Sequence, residues 1–220
     1  MPPPITPSLL GRRLVVSGLA AATAGASLPT AVGLTQTTSL LPTPRQTTGP
    51  FYPVDWSGDA DADLVRVAGE AARAQGVVTH LRGRVLDARG EPVSGAVVEI
   101  WQCDAFGHYR HPRDRAEGRD PGFQGRGRVA TWPDGSYAFR TIRPVPYPGR
   151  TPHIHVAVVM PGRAPLVTQF YLAGEPLNER DGLFNALRDL RQREAVLLRL
   201  EPAERIETGA LLAGRDIVLG

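Results

Sequence analysis

The sequence predicts an all-β protein built on a β-sandwich, and three observations carry that expectation. The 220 residues contain 24 Gly and 21 Pro, so turn-forming residues recur throughout. The apolar runs between them are short and rich in Val and Ile rather than long and heptad-like. Several of those runs alternate in polarity, as one half-buried face of a strand does. The expected whole is a sandwich core with long loops, one short C-terminal helix and an extended N-terminal arm. A chain of this length can bury the core of one domain.

Taken in order, residues 1–33 read as a signal peptide. Arg12 and Arg13 precede a run of apolar and small residues, 14–26, too short to span a bilayer. A paired arginine before a mild apolar core is similar to a twin-arginine export signal. The expectation is an exported protein, periplasmic or extracellular, with no stable membrane insertion. Residues 34–76 read as arm and linker. Within them, Gln46-Thr-Thr-Gly-Pro-Phe-Tyr-Pro53 is an aromatic turn in an otherwise featureless stretch. Residues 55–75 read as loop with at most a short helix.

Residues 77–220 read as the sandwich itself. Residues 81–87 alternate, 88–95 form a turn, and 96–101 make the next strand, which together suggest a hairpin. Residues 129–132, the turn Pro133-Asp-Gly135 and residues 136–140 suggest a second. Strands follow at 153–160 and 168–172. Apolar residues at 183, 184, 187, 190 and 197 suggest a short helix within 181–200, and 217–219 read as the closing strand.

Composition removes several functions. All 25 basic residues are Arg, the net charge is only +3, and no basic cluster is interleaved with aromatics, so nucleic-acid binding is not expected. The single Cys103 excludes an internal disulfide and a cysteine-based metal site. It is expected to pack as a small buried side chain.

The chemistry concentrates in the stretch from Val145 to His155. On a strand, His153 and His155 project to one side and Ile154 to the other. Two imidazoles on a rigid strand can form half of a metal site. Tyr147 lies just upstream, stiffened by Pro146 and Pro148 and turned by Gly149, and Arg150 adds a fixed positive charge. A loop after residue 101 delivers Tyr109. No Asp or Glu stands in a ligand-like spacing to these positions.

Trp101-Gln with Gly107-His-Tyr109, Phe123-Gln-Gly-Arg-Gly-Arg128, Asp134-Gly-Ser-Tyr-Ala-Phe139, Tyr147-Pro-Gly-Arg-Thr-Pro-His-Ile-His155 and Thr168-Gln-Phe-Tyr171 occur in an order that resembles the intradiol ring-cleavage dioxygenases, in their short bacterial form. The resemblance runs from about residue 46 to 217. It implies a non-haem Fe(III) held by Tyr109, Tyr147, His153 and His155. Phenolate is a hard anionic donor suited to a hard trivalent ion, and the ion's charge would deprotonate tyrosines that otherwise titrate near pH 10. By the same resemblance Arg150 faces the substrate, Gln169 is a polar residue beside the site, and Tyr147 also acts as a base. His80, His108 and His111 are not ligands. The implied partners are a catechol-type diol and O2, the implied product a cis,cis-muconate type, and a homo-oligomer stays open. The residue 46–53 segment is similar to one that helps line the site's mouth in this family. Tyr147 and His153 are separated by only five residues, a shorter loop than in longer members, which bears on pocket shape.

Two other readings compete. The strand-turn-strand of residues 81–101 also resembles transthyretin-like, carboxypeptidase-regulatory-like modules, which bind or space without catalysing. A zinc hydrolase would want a general-base carboxylate beside the histidines.

Overall fold

In the computed structural model, residues 39–115 and 117–220 are described; the signal-like segment 1–33 lies outside them. The strands are β1 (Val78–Leu86), β2 (Val97–Trp101), β3 (Arg126–Ala130), β4 (Ser136–Ile142), β5 (His153–Val159), β6 (Leu166–Leu172), β7 (Leu197–Leu198), β8 (Leu200–Pro202), β9 (Leu211–Gly214) and β10 (Ile217–Val218). They form two five-stranded sheets. The first is organised on β1, which pairs antiparallel with β4 along its length and parallel with β9 and then β10, with β8 beyond β9. The second runs β3-β2-β5-β6-β7.

The all-β sandwich is as expected, but both expected hairpins are corrected. β1 and β2 belong to different sheets, and so do β3 and β4. The Pro133-Asp-Gly135 turn is tight, with Gly135 N donating to Trp132 O at 2.8 Å, yet the chain leaves it to join β1 instead of folding back on β3. Turn residues fix a local reversal. Which sheet receives the next strand is decided by how the inward faces of β1 and β4 pack across the core, a long-range matter.

The helical expectation is also corrected. Residues 181–200 hold α1 (Gly182–Asn185) and α2 (Leu190–Glu194), preceded by a 3-10 turn (Pro176–Arg180), and then pass into β7 and β8. Asp181 and Asp189 cap the two helices through their side chains, and each cap starts a new helix where one had been expected. β9 carried no alternation strong enough to be read. Residues 55–75 contain no helix. Among the described residues, no helix is long and apolar enough to cross a membrane.

Between the sheets, Leu81, Val85, Tyr137 and Phe139 of the first meet Val98, Ile100, Ile154, Val156 and Phe170 of the second, all fully or nearly fully buried. β5 is buried on its other face as well. There Ala157 joins Trp101, Cys103 and Tyr109 in a smaller cluster closed by Phe51, Tyr52 and Tyr147. That outer face, at the end of the sheet where β5 begins, carries the site.

Candidate metal centre on the outer face of the second sheet

Pairing registers align the site. Trp101 lies opposite His155, and His155 opposite Gln169; one row on, His153 lies opposite Tyr171. Residues directly opposite share a face, so Trp101, His153, His155, Gln169 and Tyr171 form one polar and aromatic patch. Ile154 turns the other way into the core, fully buried.

The histidines converge. His153 Nε2 and His155 Nε2 stand 3.2 Å apart, and both rings are buried. His153 Nδ1 lies 2.6 Å from the Thr151 carbonyl oxygen; a carbonyl can only accept, so Nδ1 carries the proton and Nε2 keeps its lone pair. His155 is held by stacking on the Trp101 indole at 4.8 Å with an interplanar angle of 6°. Burial, followed by the charge of Arg150, lowers the His153 pKa to about 4; burial and then His153 hold His155 well below its usual value. Both imidazoles are therefore neutral, the form that binds metal.

Two tyrosines complete the cluster. Tyr109 sits edge-on to Tyr147 at 5.5 Å and to His155 at 6.2 Å, and Tyr147 is 5.5 Å from His153. The loop bearing Tyr109 is pinned by Asp104, whose carboxylate accepts from the amides of Phe106 and His108, and the Tyr109 amide donates to Asp114 at 2.6 Å. Tyr147 opens a tight turn in which Arg150 N donates back to Tyr147 O at 2.9 Å. Pro148 supplies the fixed φ of its second position, and Gly149 the positive φ of its third, +81°. The Tyr109 hydroxyl is buried beside that of Tyr147 but makes no hydrogen bond of good geometry, and His155 Nδ1 is buried without a partner. Such a hydroxyl costs about 1–3 kcal/mol unless something meets it. Burial, then Cys103 and Tyr147, raise the Tyr109 pKa well above 10, and burial raises that of Tyr147 against the opposing charge of Arg150. Neither would ionise without a strong cation nearby.

The donor set fits a hard, highly charged ion. Two imidazole nitrogens already face one point, a buried phenol oxygen lacks a hydrogen bond of good geometry, and a second phenol adjoins both histidines. Among the described residues, no group of three or more His, Cys, Asp or Glu could hold a metal, so an ion at this point would need the tyrosines as further ligands.

Arg150 and Gln169, both expected at the site, are there and touch each other. An Arg150 terminal nitrogen donates to Gln169 Oε1 at 2.6 Å, and the other lies 3.4 Å from the Tyr147 hydroxyl. Asp181 was not foreseen: it accepts from Arg150 Nε at 2.8 Å and from Thr151 N at 3.0 Å while capping α1. Burial would raise its pKa, but Arg150 and the amides of Phe184 and Thr151 outweigh that and hold it low. A carboxylate therefore stands beside Arg150, bound to it and to the start of α1 rather than in a ligand position. Tyr171 was also missed. It donates to Gln169 Oε1 at 3.2 Å and accepts from Gln46 Nε2 at 2.9 Å. Strand alternation could have found it, since it stands two residues from Gln169; nothing local pairs Arg150 with Asp181, 31 residues on.

The arm covers the site. Gln169 donates through its side chain to Thr47 O and through its backbone to Gln46 Oε1. A Cβ on Gly49 would meet His155 Cε1 at 3.2 Å, so the arm passes close over that ring. Phe51 stacks on Tyr109 at 4.5 Å, and Tyr52 packs edge-on to Trp101 and donates to Glu99 at 2.9 Å. The remaining histidines sit apart from the convergence: His80 pairs with Glu207, the His111 ring accepts from Arg113 N, and His108 lines a separate surface cavity. Cys103 is buried, and burial pushes its thiol up to about 12.

Size alone would misplace the site. Two larger cavities, of about 650 and 550 Å³, are lined by Arg82 to Asp216 on the first sheet and by the Asp104 and Glu117–Phe123 loops. The cavity bordered by Tyr147 and Arg150 is about 260 Å³. Convergent chemistry, not volume, marks the centre.

Fold and cluster together define a β-sandwich protein with two histidines and two tyrosines gathered on the outer face of one sheet. The family described as "Dioxygenase" matches residues 47–210. The protocatechuate 3,4-dioxygenase beta chain of Burkholderia cepacia is 38% identical over 149 residues, covering 64% of this chain and 63% of that one. The hydroxyquinol 1,2-dioxygenase of Nocardioides simplex is 35% identical over 132 residues, covering 52% and 43%. Among solved structures, the dioxygenase domain of a dioxygenase carbohydrate-binding protein fusion from Streptomyces sp. SirexAA-E superposes with a TM-score of 0.63 at 35% identity, covering 81% of this chain and 97% of that one. The chain belongs to the intradiol ring-cleavage dioxygenase family. It spans 63% and 43% of the length of the two curated relatives named.

Proposed function

We propose that the chain is a non-haem Fe(III) intradiol dioxygenase that cleaves a catechol-type diol with O2 to a cis,cis-muconate-type product. One observation carries the reading: His153 Nε2 and His155 Nε2 face each other at 3.2 Å beside the phenol of Tyr147 and a buried Tyr109 hydroxyl that makes no hydrogen bond of good geometry. A non-catalytic binding module has no use for that constellation. Tyr109, Tyr147, His153 and His155 would hold the iron. When bound, Fe(III) supplies Lewis acidity that draws electron density from a coordinated diol and opens its ring to O2.

The chain's own residues do the rest. Tyr147, the more exposed phenol, is placed to take a proton from the incoming diol while Tyr109 stays buried. Arg150 keeps its charge at any working pH and stabilises negative charge that develops on the substrate. Asp181 and Gln169 hold that guanidinium in place. The arm, latched through Gln46 and Thr47, excludes water from the reacting centre.

Oxygen uptake over a panel of diols, with product identification, tests the proposal. The expected result is a cis,cis-muconate-type diacid and a red-brown protein. A yellow semialdehyde from cleavage outside the hydroxyl-bearing carbons, or a colourless iron-free protein, would overturn it. Export by the twin-arginine route belongs to the same proposal, supported by Arg12-Arg13 before the apolar run. Replacing both with Ala should retain the protein in the cytoplasm; continued export would remove that part.

A further inference from the structure

A row of side-chain hydrogen bonds joins the arm to Arg150, and its direction is fixed at every step. Gln46 Nε2 donates to Leu183 O at 3.2 Å; a carbonyl can only accept, so the nitrogen of that amide is the atom turned this way. The same Nε2 donates to the Tyr171 hydroxyl oxygen at 2.9 Å, while Gln46 Oε1 accepts from Gln169 N at 3.1 Å. The Tyr171 hydroxyl, approached by a donor from the arm, gives its own proton to Gln169 Oε1 at 3.2 Å. Gln169 is oriented from both ends. A guanidinium can only donate, so the atom that meets Arg150 at 2.6 Å is Oε1, and Nε2 is left to donate to Thr47 O at 3.2 Å. Tyr171 and Gln169 are fully buried, and the Tyr171 ring is held edge-on to Phe184 at 5.0 Å.

Resting on the dioxygenase reading above, we propose that Tyr171 is a positioning residue: its hydroxyl carries the docking of the arm to Arg150 by fixing the Gln169 amide. Asp181 accepts from Arg150 at Nε, which anchors the guanidinium but leaves its terminal nitrogens free to turn. Their direction comes from Gln169 Oε1. That oxygen receives Tyr171 on one side and Arg150 on the other, and Thr47 holds Nε2, so the amide is fixed at three points. Two of the three depend on the arm, since Thr47 belongs to it and Gln46 aligns the Tyr171 proton. The guanidinium is therefore set for charge stabilisation when the arm is docked and loosened when it lifts. Tyr171 also flanks His153, with ring centroids 6.1 Å apart, so a test must separate an effect on the metal from one on Arg150.

Tyr171→Phe keeps the ring and removes the hydroxyl. In the iron-loaded full chain, kcat should fall about fivefold, the usual contribution of one neutral hydrogen bond, with KM for the diol, iron content and resting colour unchanged. In an Arg150→Ala background the same substitution should cost nothing further, because Tyr171 acts through Arg150. Nitrogen NMR of the iron-free protein reads the guanidinium without turnover. The two terminal nitrogens of Arg150 should give separate signals in wild type, and broadened or merged ones in Tyr171→Phe and in Gln46→Ala. An unchanged kcat or unchanged Arg150 signals in Tyr171→Phe overturns the proposal, as does the full fivefold loss on top of Arg150→Ala. Lost iron or an altered resting colour would place the effect at His153 and overturn it too. Sharp, separate signals in Gln46→Ala would overturn the part given to the arm. If the wild type turns over no diol, the dioxygenase reading fails instead, and the NMR comparison still decides whether Tyr171 positions Arg150.

Discussion

Arg140 on β4 and Arg150 in the turn before β5 are each held by carboxylates, but their surroundings differ in what they leave unmet. Arg140 donates twice to Glu207, at 2.8 and 2.7 Å, and twice to Asp63, at 3.0 and 3.1 Å, while His80 lies 3.2 Å from the same Glu207. Every guanidinium nitrogen is used. Around Arg150, one nitrogen reaches Asp181 and another Gln169, and the third is 3.4 Å from Tyr147, at the limit of a hydrogen bond. Beyond it stand a buried Tyr109 hydroxyl and a His155 Nδ1 with no partner. The first network is closed and can only stabilise. The second is open on one side, and its unmet capacity, expensive in a folded protein, points to where a ligand belongs.

The sharpest way to break the comparison is to fill the open side with carbon. On the proposed reading Tyr109→Phe removes one of two phenolate ligands, so the visible charge-transfer band should shift and weaken and nearly all turnover should disappear. Removing a buried hydroxyl that makes no hydrogen bond of good geometry should at the same time make the iron-free protein as stable as wild type or more so, by up to about 1–3 kcal/mol. A variant that keeps its spectrum, or whose iron-free form melts well below wild type, would take Tyr109 out of the centre.

Arg150→Ala comes next. Iron and colour should stay, and kcat should fall by about 10²–10³, the usual effect of removing one preorganised charge-stabilising donor. Loss of iron would instead make Arg150 a brace for the turn at Tyr147. Asp181→Asn sharpens the point, because Asn still caps α1 but no longer fixes Arg150 by charge. A fall in kcat of about 10–100-fold with KM little changed and the melting temperature kept is expected, as for other orienting partners. A loss of stability with unaltered kcat would make Asp181 only a cap.

These residues also show what could be read without coordinates. His153 and His155 share a face because strand alternation requires it, and the turn at Pro148-Gly149 has the residues a tight reversal needs; such local rules held. Tyr171 was within reach of the same alternation from Gln169. Asp181 was not, for its contact with Arg150 joins two loops that only the packed sandwich brings together. The sheet assignment failed for the same reason: the turns at 88–95 and 133–135 look like hairpin turns, while their strands part to opposite sheets. The arm was legible as too apolar to be free, but the Gln46 latch onto Tyr171 and Gln169 was not.

That latch gives a smaller expected effect. Removing residues 1–33 should leave turnover unchanged, since the contacts that cover the centre begin at Gln46. Removing residues 1–53 takes away Gln46, Thr47, Gly49, Phe51 and Tyr52, and should reduce kcat/KM or diol selectivity while the iron-dependent colour persists. Equal rates and selectivity in both truncations would reduce the arm to a tether.

The smallest effect should come from the closed network. Glu207 has its pKa lowered from 4.5 to about 2, first by hydrogen bonding to Arg140 and also by the charges of Arg140 and His80. A carboxyl whose folded pKa is depressed contributes stability that is fully present above its unfolded value and disappears as pH falls through the folded one. The contribution of Glu207 should therefore be complete above about pH 4.5 and gone near pH 2. Glu207→Gln should leave turnover untouched and lower stability near neutral pH by no more than about 1 kcal/mol, as expected for a partly exposed ion pair. Its melting temperature should then converge with that of wild type as the pH approaches 2. A variant with impaired turnover would mean that the Arg140 cluster reaches the site after all, and the two arginines would no longer differ in kind. A gap in melting temperature that stays constant down to pH 2 would mean that Glu207 acts by packing rather than by charge.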